Sequence, residues 1–188
     1  MTYYTNKEKT LIDFLLSRYK ANFLFFCDII NQKTKLSLRL LDWLVTNYSK
    51  KYNVIYPLTN KNGEIRYFNI YLDYKNQLKA YSKKHFDPFC RQKRIIVNTK
   101  TLNWDLHHKN IVLDEDHIVT TVGQLNFFKW VIENKIFDYA MSNLSFIDQD
   151  MYSTLDSKNK NKRTTLSPSA INGGAYNCMH KITLKFKH

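Results

Sequence analysis

Glycine is scarce in this chain of 188 residues, which holds only four, together with three prolines and three cysteines. So little glycine leaves scant material for a phosphate-cradling or dinucleotide-binding loop, and no GxxxxGK[ST], GxGxxG or GxSxG pattern occurs. Cys27, Cys90 and Cys178 stand far apart, odd in number and outside any CxxC pair. They frame no disulfide scaffold and fit a reducing, intracellular compartment. Arginine is sparse as well, six against 23 lysines, which favours diffuse attraction to phosphate over bidentate reading of base edges. The start MTYYTNKEKT has no signal-peptide pattern, and the apolar stretch FLFFCDII is too short to span a bilayer. The expectation is a soluble intracellular protein with no membrane span.

What the chain does have is aromatic bulk and positive charge. Twelve Phe, thirteen Tyr and three Trp, with 44% hydrophobic residues overall, exclude global disorder and call for a packed core. A chain of this length buries about two-thirds of its unfolded surface, enough for one substantial core. The formal charge of +13, from 29 Lys plus Arg against 16 Asp plus Glu, concentrates polyanions around the protein. DNA, RNA, an anionic membrane or an acidic protein all satisfy that charge. The interleaving of cations with aromatics, rather than one lipid-seeking amphipathic stretch, ranks nucleic acid first.

Periodicity predicts an α+β fold, with helices packed against a small, mostly antiparallel sheet. Leu11, Phe14, Leu15 and Arg18 share one face of a helix from Asn6 to Tyr19, with Asn6 as N-cap. Phe23 to Ile30 fits a continuing helix or a buried strand equally. Ser37 to Tyr48 reads as a helix with Leu40, Leu41, Leu44, Val45 and Tyr48 inward. Strands follow at about 52–57 and 64–71, joined around Lys61-Asn62-Gly63. A helix from Asp73 to Lys84 is expected to end at Asp87-Pro88, since proline lacks an amide donor and restricts the residue before it.

Two further strands, Arg94 to Asn98 and His117 to Thr121, flank a polar excursion containing Trp104, His107 and His108. Thr121 then caps a helix through VGQLNFFKWVIEN, and a second helix spans Phe137 to Tyr152. In domain terms this makes 1–156 one compact unit. Residues 157–175 form a basic flexible linker or loop, and 176–188 a terminal strand that returns to the domain. In that strand Ile182, Leu184 and Phe186 alternate with Lys181, Lys185 and Lys187.

The candidate site is the segment Lys75 to Arg94, with seven cations against one Asp. Lys75, Lys79, Lys83, Lys84, Arg91, Lys93 and Arg94 read as a phosphate-binding surface built by a helix, its terminating loop and the next strand, or alternatively as a solvated face with no ligand. Tyr81, Phe86, Phe89 and Trp104 are candidates for stacking on bases, set against ordinary core packing. Lys158, Lys160, Lys162 and Arg163 offer a second phosphate contact, or a solvated loop.

His107, His108, Asp114, Glu115, Asp116 and His117 contain metal-ligating types but no diagnostic spacing, and a polar loop explains them. Cys90, His85 and Cys178 lack a compact zinc pattern. No catalytic residue, metal or cofactor is assigned, and a metal-dependent nuclease ranks last among the readings.

The strings LSLRLLDWLVTNYSKKY, YKNQLKAYSKKHFDPFCRQKRI and TTVGQLNFFKWVIENKIFDYA resemble a small group of uncharacterised proteins from large nucleocytoplasmic DNA viruses. The likeness covers Leu36 through Tyr152. It implies a viral setting, in cytoplasmic factories of the host or in the virion, with the nucleus also open, and it implies no particular activity. In that setting a non-enzymatic accessory protein that binds DNA or RNA is the leading expectation. The alternative is a structural or assembly protein that meets viral core components through protein contacts.

Overall fold

The first helix, α1 (Asn6–Tyr19), is opened by a reciprocal pair of hydrogen bonds. The Thr5 amide donates to Glu8 Oε2 at 2.9 Å and the Glu8 amide donates to Thr5 Oγ1 at 3.2 Å. This capping box makes Thr5 the cap, one residue ahead of the Asn6 expected from the sequence. The computed structural model describes residues 4–19, 22–60, 62–107 and 115–160, with side chains as far as 156. It divides into two units, Met1–Met151 and Tyr152–His188.

In the first unit, α1 buries Ile12, Leu15, Leu16 and Tyr19 against α6 (Val122–Glu133). Phe14, expected on the inner face, is 51% exposed. The helical stripe is therefore shifted by about one position, to Glu8, Ile12, Leu15, Leu16 and Tyr19, the last of which donates its hydroxyl to the Leu125 carbonyl. Phe23 to Ile30 is helix α2, with Phe23, Phe26, Cys27 and Ile29 buried. Inward residues at helical spacing, rather than alternation, settle the ambiguity that its length left open.

Ser37 caps α3 (Leu38–Trp43) by accepting from the Leu40 amide at 3.1 Å. A π-helical turn, Leu44–Tyr48, then leads into the short α4 (Ser49–Lys51).

Strands β1 (Ile55–Thr59) and β2 (Ile65–Asn69) form an antiparallel hairpin in which Pro57 faces Tyr67. Gly63, at φ 81°, occupies the left-handed conformation that the turn requires. Asn69 ends β2 and caps α5 (Ile70–Tyr81), accepting from the Leu72 amide at 2.9 Å. This helix stops at Ser82, whose φ of 59° breaks the helical path, so it ends well before Asp87-Pro88.

The second sheet has the order β4 (Trp104–Leu106), β3 (Arg94–Asn98), β5 (His117–Thr121), with both pairings antiparallel. β3 and β5 have the bounds read from the sequence. β4 lies in the stretch expected to be a polar excursion. Ile95 and Val97 of β3 point into the core.

Thr121 caps α6 as expected, accepting from the Gln124 amide at 3.1 Å. The helix expected over 137–152 is in fact two, α7 (Ile136–Ser142) and α8 (Leu144–Lys160), broken at Asn143. The described part of the second unit is the remainder of α8, so residues 157–160 continue a helix where composition favoured a linker. The expected terminal strand lies outside the described residues.

Candidate nucleic-acid interface

The cationic segment runs along α5, through the loop after Ser82 and onto β3. Its middle is held by the first turn of α6. The Asp87 amide donates to the Gly123 carbonyl at 3.1 Å, Gln124 Nε2 donates to the Pro88 carbonyl at 3.0 Å, and Asn126 Nδ2 donates to the His85 carbonyl at 3.0 Å. Gly123 permits this approach. A Cβ there would sit 3.1 Å from the Lys84 carbonyl oxygen.

Lys75 and Lys79 are exposed one turn apart on α5, about 6 Å along its axis. One turn earlier on the same stripe is Tyr71, with the Lys50 ammonium of α4 5.8 Å from its ring centroid. None of Lys50, Lys75 and Lys79 makes a salt bridge among the described residues. Lys83 is also exposed, close enough to Asp42 to influence it electrostatically. Burial and the charge of Asp87 raise the Asp42 carboxyl, while Arg91 and Lys83 pull it back down.

The other cations of the segment have structural partners. Lys84 Nζ meets Glu8 Oε1 at 2.9 Å, and His85 Nε2 approaches the same oxygen at 3.3 Å. Burial opposes ionisation of Glu8, but the Thr5 amide, Lys84 and His85 outweigh it and hold the carboxyl at about 2. Arg91 forms a fork on buried Asp87, with Nε to Oδ2 at 3.0 Å and Nη2 to Oδ1 at 2.6 Å. Its guanidinium also covers Phe89, 4.9 Å from the ring centroid. Lys93 lies over the Tyr4 ring at 5.2 Å and accepts the Tyr4 hydroxyl at its carbonyl, 2.8 Å away. Arg94 is exposed on β3 and interacts with the half-buried Cys90 thiol, which burial raises and Arg94 lowers.

Of the stacking candidates, Phe86 has to be withdrawn. It is 2% exposed and packs edge-on against Phe127 and Trp130. Tyr81 is half-buried and nearly parallel to Phe86, 6.5 Å away. Phe89 is half-buried beneath Arg91, and Trp104 is half-buried and edge-on to Tyr4. The Trp104 Nε1 donates to Asp13 Oδ1 at 2.7 Å. None of the four is a free, fully exposed ring.

Lys158 and Lys160 lie on the helical backbone of α8, whereas Lys162, Arg163 and the terminal lysines Lys181, Lys185 and Lys187 are outside the described residues. Within the other polar cluster, Asp116 pairs with Lys100 at 2.6 Å and His117 lies 3.4 Å from the Asn98 amide. His107 and Glu115 are described, while His108, Asp114 and Cys178 are not. Among the described residues no three metal-ligating side chains come together.

An open cleft of about 260 Å³ lies beside β3 and β4, lined by Ile96, Asn98, Asn103, Trp104, Asp105 and His117 among others. Reading 99–116 as one loop hid it. Much of its polar lining is already engaged: Asn98 Oδ1 accepts the amides of Lys100 and Thr101, and Asp105 Oδ1 accepts that of Leu106.

A family model described as a family of unknown function (DUF7197) matches residues 2–186. The chain is 44% identical over 135 residues to the "Uncharacterized protein L507" of Acanthamoeba polyphaga mimivirus. That alignment covers 72% of this chain and 48% of the mimivirus protein, so the chain spans about half the length of this relative. The resemblance to proteins of large DNA viruses, seen first in the sequence strings, is therefore correct. No solved structure matches.

Proposed function

The chain belongs to the DUF7197 family of unknown function, and we propose that it is a non-enzymatic nucleic-acid-binding protein that grips phosphates through the exposed face of α5. The observation carrying this reading is that Lys75 and Lys79 are exposed one turn apart on α5, with Lys50 of α4 beside Tyr71 one turn earlier, and that none of the three has a carboxylate partner among the described residues. Lys83 is exposed as well. This face is narrower than the full segment, because Lys84 and Arg91 are paired with the buried carboxylates of Glu8 and Asp87. Lysine ammonium groups on an exposed helix attract phosphate as point charges, so the binding is largely indifferent to sequence.

The test is a salt titration of the purified chain against matched single- and double-stranded DNA and RNA, with an unrelated polyanion as control. A preference for one nucleic acid that persists near physiological salt supports a dedicated binder. Absent binding, or binding to every polyanion that salt abolishes, overturns it. No helix among the described residues is long and apolar enough to cross a membrane.

A second reading, assembly through protein contacts, is favoured by a different observation. The hairpin β1–β2 exposes Ile55, Ile65 and Tyr67 together.

A further inference from the structure

Residues paired across an antiparallel hairpin share a face, and the outer face of β1–β2 consists of Ile55, Pro57 and Thr59 opposite Asn69, Tyr67 and Ile65. Ile55 is 49% exposed, Ile65 66% and Tyr67 80%. Pro57 is exposed between them. None of the six residues is charged, on a chain with a formal charge of +13.

The inner face is firmly anchored. Leu58 and Phe68 are buried, the Tyr56 hydroxyl donates to the Asn134 carbonyl at 2.7 Å, and Arg66 Nη2 donates to Asn134 Oδ1 at 2.7 Å. Tyr56 also stacks on Tyr139 of α7, with centroids 5.3 Å apart and planes 12° from parallel. The apolar outer surface is thus presented by a fixed support, so its exposure is not a consequence of fraying.

We propose that this face is a self-association surface, on which two copies of the chain pack hairpin against hairpin. Charge selects the occupant. A polyanion finds no cation on these six residues, whereas two strongly positive copies can approach most closely where neither carries charge. The layout also suits a copy of itself. Ile55 and Ile65 occupy one diagonal of the face, Asn69 and Thr59 the other, and the Pro57–Tyr67 pair lies between. A two-fold axis lying between the two faces along the Ile55–Ile65 diagonal sets each isoleucine against its own counterpart, with the two Pro57–Tyr67 pairs meeting at the middle.

The area sets the strength. Side chains of this size contribute about 400–500 Å² per copy, or roughly 1,000 Å² in total. That is the lower limit for a specific interface, so the contact is a weak, reversible dimer rather than an obligate one.

Sedimentation of the nuclease-treated full chain over a range of micromolar concentrations tests this. A monomer–dimer equilibrium is expected that tightens as salt rises, because screening removes the repulsion between like-charged copies. Phosphate-mediated bridging would weaken with salt instead. The double variant I65K/Y67K should dissociate the dimer by at least about tenfold, with circular dichroism and melting unchanged because both side chains are exposed. Phe146→Lys, exposed elsewhere on α8, should leave the equilibrium as it was. A chain that stays monomeric at high salt, or a dimer indifferent to I65K/Y67K, overturns the proposal.

Discussion

Trp43 and Asp150, 107 residues apart in the sequence, are joined by a hydrogen bond from the indole Nε1 to Oδ2 at 3.0 Å. The Tyr52 hydroxyl donates to Oδ1 of the same carboxylate at 3.1 Å, and the Lys51 ammonium reaches that oxygen too. One buried acid therefore ties the first half of α8 to the end of α3 and the end of α4. Asp150→Ala removes the acceptor that the half-buried Trp43 indole uses, while the Tyr52 hydroxyl, on a ring 52% exposed, turns to water. Lys51 is more than half exposed and returns to water, so its loss counts for little. The expected cost is about 1–3 kcal/mol, read as a lower urea midpoint at unchanged slope.

Glu8 gives the fold an acid sensitivity. Its folded value of about 2 lies below the ordinary 4.5. A carboxyl depressed on folding contributes stability above its unfolded value, and that contribution disappears as pH falls through the folded one. Asp150 is also depressed and acts in the same direction, with the Lys51, Trp43 and Tyr52 hydrogen bonds outweighing burial. Stability should therefore decline from about pH 5 down to about pH 2. In Glu8→Gln the decline should be shallower over that window, measured by denaturant titration at successive pH values.

Gly123→Ala probes the support of the cationic loop. The new Cβ would meet the Lys84 carbonyl at 3.1 Å and the Asp87 amide nitrogen at 3.4 Å, backbone atoms with little freedom to retreat. Overpacking of this kind costs about 1–3 kcal/mol. The melting temperature should drop, and the amide resonances of residues 84–87 should shift more than those of α5.

Lys75→Gln with Lys79→Gln should leave the melting temperature nearly unchanged, since both side chains are exposed and make no salt bridge among the described residues. Each phosphate contact contributes about 0.9 to the slope of log affinity against log salt on duplex DNA, so the pair should reduce its magnitude by about two. Lys84→Gln should do the opposite, lowering stability through Glu8 while moving the slope less. A slope reduced by about 0.9 in Lys84→Gln and unchanged in the Lys75→Gln/Lys79→Gln pair would place the binding face on the loop rather than on α5.

Phe86→Ala separates stacking from packing. A fully buried Phe costs about 3–5 kcal/mol on truncation. The expected outcome is a large loss of stability, with the affinity per folded molecule for single strands unchanged.

The elements with the strongest local signals were legible in the sequence. β3 and β5 alternate or run apolar between polar breaks, and Thr121 is a hydroxyl cap immediately before an apolar helical stripe. The hairpin announced itself by Gly63. What escaped was decided at longer range. β4 has only three residues, and it becomes a strand because β3 offers it an edge. The end of α5 is fixed by the conformation of Ser82, not by the proline that seemed the stronger breaker.

In the candidate site, the identities of the cations were readable but their commitments were not. Glu8 is 76 residues from Lys84, and no local pattern joins them. Asp87 to Arg91 is the exception, since i to i+4 pairing was available in the sequence once the acid was taken as buried.

The three hydrogen bonds from the first turn of α6 also determine how the cationic loop moves. The Asp87 amide is bonded to Gly123, and the buried Gln124 side chain fixes the Pro88 carbonyl. Such protons exchange with solvent only when α6 separates from its neighbours, and α6 is among the most deeply buried elements of the first unit. The loop thus opens with the core and not before it. Its backbone geometry, and with it the placement of Lys84 beside Glu8 and of Arg91 beside Asp87, is therefore expected to persist until the unit unfolds.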